Sequence, residues 1–166
     1  MVAIPQRLLG EALQISARKN PLKPAIIIKD KEFSYEKLLD GAEKIAAHLI
    51  HSGIQKGDRI AICMSNSRES ILAIYGATLS GAVFLFINPQ TKANKLQYIL
   101  NDCGAKILFA EAVLSNELSP ALEDAKTVEQ VIISGSSDKI NKQVWFEIQD
   151  FENIILTGKS NVQFPV

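Results

Sequence analysis

The chain has 166 residues, 47% of them hydrophobic, with 18 basic residues against 18 acidic ones and two cysteines. That apolar content suits one domain with a core, or one lobe of something larger, and is too high for a disordered chain. Balanced charge gives no electrostatic reason for a nucleic-acid or membrane-surface partner, no apolar run approaches the roughly 18 residues that span a bilayer, and the start Met1-Val2-Ala3-Ile4-Pro5-Gln6-Arg7 lacks a signal-peptide pattern.

The first element is a helix over Gln6–Lys19, with Leu8, Leu9, Ala12, Leu13 and Ile15 as its apolar stripe. Asn20-Pro21 and Pro24 stop it, because the residue before a proline avoids helical geometry. Ala25–Ile28 reads as a strand, Lys29-Asp30-Lys31-Glu32 as a polar turn and Phe33-Ser34 as the returning partner, a hairpin. Ser34 is placed to cap a helix from Tyr35 to about Ser52, whose buried face is Leu38, Leu39, Ala42, Ile45, Ala46, Leu49 and Ile50.

Strand Arg59–Met64 follows, then helix Ser67–Ser80 capped by Asn66 or Ser67, and strand Val83–Ile87 broken by Asn88-Pro89. Helix Lys92–Cys103 and strand Lys106–Ala110 complete this unit. Its helices stop at Gly53, Gly81 and Gly104, where glycine takes the left-handed conformation at no steric cost. A helical turn at Pro120–Ala125, a strand at Gln130–Ser134, a polar loop at Gly135–Lys139, a short helix at Phe151–Leu156 and an aperiodic tail from Thr157 to Val166 follow.

The alternation predicts an α/β fold: a parallel-rich sheet with strands near Ala25–Ile28, Arg59–Met64, Val83–Ile87 and Lys106–Ala110, and helices on both faces.

The residues that could carry chemistry have plainer structural readings. Cys63, in a buried strand, and Cys103, in a last helical turn, read as small core residues in a reducing, cytoplasmic setting. Gly158-Lys159-Ser160 looks like the end of a phosphate-binding loop, but Asn153 stands where the loop's first glycine belongs, so it reads as a polar tail. His48 and His51 share a helix face, yet no neighbouring Cys, Asp or Glu completes a metal set. Ser65, Ser67 and Ser70 lie in no nucleophile elbow, and Asn66 and Ser67 are explained as caps. Glu36, Asp58 and Glu69 are single carboxylates without an acid–base partner. No residue is assigned a catalytic, cofactor-binding or metal-binding role.

Five local spellings are nevertheless specific in their order. Phe33-Ser34-Tyr35-Glu36-Lys37-Leu38 resembles the "(T/S)Y-x-x-L" signature that opens the adenylate-forming enzymes: acyl-CoA synthetases, luciferases and peptide-synthetase adenylation domains. Gly53-Ile54-Gln55-Lys56-Gly57-Asp58-Arg59-Ile60-Ala61 is similar to their "G-(I/V)-x-x-G-D-x-V-A" step, and Ser65-Asn66-Ser67 to their "x-N-(S/C)" turn. The stretch Ala77-Thr78-Leu79-Ser80-Gly81-Ala82-Val83-Phe84-Leu85-Phe86-Ile87-Asn88-Pro89 resembles "A-x-x-x-G-A-(V/I)-x-x-P-(V/L)-(N/D)-P", with Phe86 where the family usually has proline. Leu96-Gln97-Tyr98-Ile99-Leu100-Asn101-Asp102-Cys103-Gly104-Ala105-Lys106 fits "L-x-x-(I/M)-L-x-D-(S/C)-(G/E)-A-(K/R)".

The resemblance implies that residues 1–166 are a partial N-terminal subdomain of an AMP-binding synthetase, with the core motif region at 33–110 and a tail at 157–166 leading toward a phosphate loop beyond the chain. It implies ATP, Mg²⁺ and CoA, or a carrier-protein thiol, for an intact enzyme, with none of their sites in this chain. The implied partners are the rest of its own enzyme and a second copy of the exposed lobe. Asn88-Pro89 and the spelling around Cys103 lean toward acyl-CoA ligases over amino-acid adenylation domains. An interaction module derived from this lobe is the alternative outside enzyme chemistry.

Overall fold

The computed structural model describes residues 8–136 and 145–159. Helix α1 (Leu9–Lys19) leads into strands β1 (Pro24–Ile28) and β2 (Lys31–Ser34) and then helix α2 (Tyr35–His51). Strand β3 (Arg59–Cys63), helix α3 (Arg68–Leu79), strand β4 (Val83–Ile87), helix α4 (Ala93–Cys103) and strand β5 (Ala105–Glu111) follow. A single 3₁₀ turn leads to helix α5 (Ser115–Leu122), and strands β6 (Gln130–Ser134) and β7 (Glu147–Asp150) precede helix α6 (Phe151–Thr157).

Five strands form one parallel sheet in the order β4-β3-β5-β6-β7. Successive side chains of a strand point to opposite faces, and each face is covered. Ile60, Ile62, Ile107, Phe109 and Ile132 bury one side against Leu38, Ile45 and Leu49 of α2, Leu72 and Ala77 of α3, and Phe151 and Ile154 of α6. Ala61, Cys63, Leu108, Ala110, Val131 and Ile133 bury the other against Leu96 and Leu100 of α4 and Leu118 and Leu122 of α5. Being covered on both faces is why these strands read as continuous apolar runs.

The caps and stops follow local chemistry. The Ser34 hydroxyl accepts from the Lys37 amide, and Ser67 and Ser70 close a reciprocal cap on α3. Gly53, Gly81 and Gly104 have φ of 84°, 80° and 63°, the left-handed values that glycine alone adopts freely. Behind Gly104, Arg59 donates from Nε to the Cys103 carbonyl at 2.7 Å and from Nη2 to the Gly104 carbonyl at 3.2 Å.

Four expectations need correction. Ala25–Ile28 is a strand, but with β2 it makes a separate antiparallel pair outside the parallel sheet. A hairpin satisfies its own ladder locally and needs no place in the larger sheet. Strand β7 was not foreseen and forms the far edge of the sheet. Helix α5 begins at Ser115, five residues before the predicted start, and contains Pro120. In α1 the buried positions are Gly10, Leu13 and Ala17, while Leu8, Leu9 and Ile15 are exposed. The predicted start of α1 at Gln6, part of the Gly135–Lys139 loop and most of the tail lie outside the described residues.

Candidate functional site

In an open parallel sheet, ligands bind outside the carboxyl ends of the strands, where the strand order reverses. Here that point lies between β3 and β5, since the chain runs from β3 outward to β4 and then returns past β3 to β5. The segment leaving β3 is Ser65-Asn66-Ser67, and β5 ends at Glu111. The Ser65 hydroxyl donates to Glu111 Oε2 at 2.9 Å. Ser67 Oγ accepts from the Ser70 amide at 3.2 Å, and Ser70 Oγ from the Ser67 amide at 3.1 Å. On the neighbouring strand, Asn88 Oδ1 accepts from the Gln90 amide at 2.8 Å, which shapes the turn after β4.

These groups are already engaged with Glu111 and in caps and turns, and among the described residues no hydrogen bond joins these serines to a histidine or lysine that could activate one. The crevice can orient a polar group; it does not hold a nucleophile with its base. Glu111 was not singled out from the sequence. It closes β5 after the apolar run Ile107–Ala110, and only the β3–β5 register, which sets Cys63 beside Ala110, brings it to Ser65.

A second concavity, a hollow of about 260 Å³, lies between α2 and α6 and gathers Lys44, His48, His51, Asn153, Gly158 and Lys159. It unites two motifs that the sequence kept apart, and the geometry favours the plain reading of each. His48 Nε2 donates to Gln130 Oε1 at 3.0 Å, and His51 Nδ1 donates to the Ala47 carbonyl at 2.6 Å. Among the described residues no three His, Cys, Asp or Glu side chains stand together as metal ligands. Asn153 sits in the first turn of α6, its amide bound to the Asp150 cap at 2.7 Å. The place of a phosphate loop's first glycine is therefore inside a helix. Gly158 follows α6 in extended geometry, and Ser160 lies outside the described residues.

The remaining candidates are structural. Asp58 accepts from Lys106 Nζ at 2.8 Å and from the Gln55 amide at 2.9 Å. The hydrogen bond from Lys106, aided by that amide, holds the Asp58 carboxyl below its usual range. Glu69 pairs with Arg68 at 3.0 Å, and Arg68 also reaches Glu152 at 2.7 Å and stacks over the Phe33 ring. Glu36 lies in the first turn of α2. Cys63 and Cys103 are both free thiols; burial pushes the Cys63 thiol up to about 11, the neighbouring Glu111 charge adding to the effect.

The architecture is thus a three-layer α/β lobe whose residues spend their polar groups on caps, turns and cross-links. A family model described as AMP-binding enzyme matches residues 13–155. The chain belongs to that adenylate-forming family, and its fold is that of the family's N-terminal subdomain. It is 30% identical over 141 residues to a long-chain-fatty-acid–CoA ligase of Bacillus subtilis (strain 168), a match covering 81% of this chain and 24% of that protein. It is also 30% identical over 144 residues to a linear gramicidin synthase of Brevibacillus parabrevis, covering 86% of this chain and 2% of that one. Among solved structures, the anthranilate CoA ligase AuaEII in complex with anthranoyl-AMP superposes with a TM-score of 0.85 at 18% identity, over 96% of this chain and 30% of its own. The chain therefore spans about a quarter of the fatty-acid ligase and a small part of the synthase.

Proposed function

We propose that this chain is the N-terminal lobe of an ATP-dependent, AMP-forming acid–thiol ligase, of the acyl-CoA ligase type, and that it performs no adenylation alone. The family match across residues 13–155, on a lobe that folds as in the CoA ligases, carries the reading. Such a ligase lets a carboxylate oxygen attack the α-phosphorus of ATP with loss of pyrophosphate. A thiol then attacks the acyl carbonyl and AMP leaves. Both steps develop negative charge that preorganised donors must meet.

Two observations support the second half of this reading. Among the described residues no three His, Cys, Asp or Glu side chains stand together, and Asn153, at the place of a phosphate loop's first glycine, is bonded to the Asp150 cap in the first turn of α6. The ATP, metal and thiol sites are assigned to the rest of the ligase, which is this lobe's first partner. Residues 157–166 are its lead toward the phosphate loop.

The test is pyrophosphate exchange by the purified chain with a panel of fatty and amino acids, beside calorimetry with ATP and Mg²⁺. No exchange is expected, and substrate-dependent exchange would overturn the assignment. Reading the transcript past Val166 tests the parent enzyme separately. A Ser/Thr/Gly-rich stretch ending in Pro-Lys-Gly supports the ligase; a stop codon directly after Val166 supports the interaction module. Amino-acid adenylation is the second reading, favoured by the gramicidin synthase relative of equal identity. Asn88-Pro89 after β4 leans the other way.

A further inference from the structure

We draw no further inference here: the strongest candidate, the hollow between α2 and α6, carries nothing, because its Lys44, His48 and His51 are already bonded to Asp40, Gln130 and the Ala47 carbonyl, and nothing in the structure shows what fills it.

Discussion

At the scale of single residues, the charged and polar groups act as cross-links between elements distant in sequence. Asp58 is held by Lys106, and its side chain is only 15% exposed. Removing the charge in Asp58→Asn should cost about 1 kcal/mol at neutral pH, between an exposed ion pair and a charge-assisted hydrogen bond. The folded-state pKa is lowered, so the contribution is complete above the ordinary carboxylate value, about 3.9, and fades as pH falls through the lower folded value. Urea midpoints for the two proteins should therefore differ at pH 7 and converge in acid; a constant gap would show that the ion pair is not the cause.

Gln130 is the other decisive polar residue, 4% exposed. Its amide joins His48 at 3.0 Å, Glu147 at 2.9 Å and Ser52 at 3.5 Å, tying α2 to β6 and β7. Gln130→Leu leaves these partners unsatisfied and should cost about 1–3 kcal/mol in chemical denaturation. Gln130→Glu should be worse at pH 7 than at pH 4, because it sets a second carboxylate beside Glu147. The Ser34 and Ser67 caps were legible in the sequence because a cap speaks to an amide three residues away. The Gln130 and Glu111 contacts were not, because their partners lie 82 and 46 residues off and meet only through strand register.

At the scale of elements, the tightest seam is between α2 and α3. A methyl added at Gly76 would overlap the Ile45 side chain, its β-branch at 2.6 Å, and would approach the Ala42 carbonyl at 3.3 Å. At Gly41 the obstacle is the flexible tip of Leu72, with Cδ2 at 2.8 Å and Cδ1 at 3.2 Å. Gly76→Ala should lose about 1–3 kcal/mol by overpacking against a stiff β-branched neighbour. Gly41→Ala should lose clearly less, because Leu72 can rotate and alanine favours the helix. Equal thermal shifts for the two variants would contradict this account of the seam.

Elements with strong apolar periods and glycine stops, above all α2 to β5, were legible almost to the residue. Strand β7 was not, because Glu147-Ile148-Gln149-Asp150 has no apolar run; backbone pairing to β6 recruits it as an edge. Pro120 misled in the other direction. Proline favours a helix's first turn, but in α5 it stands within the helix, and Ser115–Leu118 are already helical before it.

At the scale of the whole molecule, alternating strands and helices predicted the parallel sheet and its two helical layers, while strand order and the isolation of the hairpin had to come from tertiary packing. The candidate crevice was half legible: Ser65-Asn66-Ser67 stood out as a turn, but its place at the order reversal depends on β5 returning past β3. That same return makes the two apolar cores interdependent. Strands β3, β5 and β6 each send alternate residues into both, so neither core can melt without unpairing the strands of the other. Unfolding should therefore be one cooperative transition. Two built-in probes sit near the second core. Cys63 lies in the central strand, 1% exposed, with its thiol at about 11, so it is both inaccessible and mostly protonated. Trp145, the sole tryptophan, stacks edge-on against Phe146 of that core at 5.8 Å. Near neutral pH a thiol reagent should label the half-buried Cys103 first and reach Cys63 only as the chain opens. In rising urea the labelling of Cys63, the fluorescence of Trp145 and the far-UV signal of the helices on both faces should then share one midpoint. An earlier midpoint for Cys63 and Trp145 than for the helical signal would show the α4–α5 layer opening by itself.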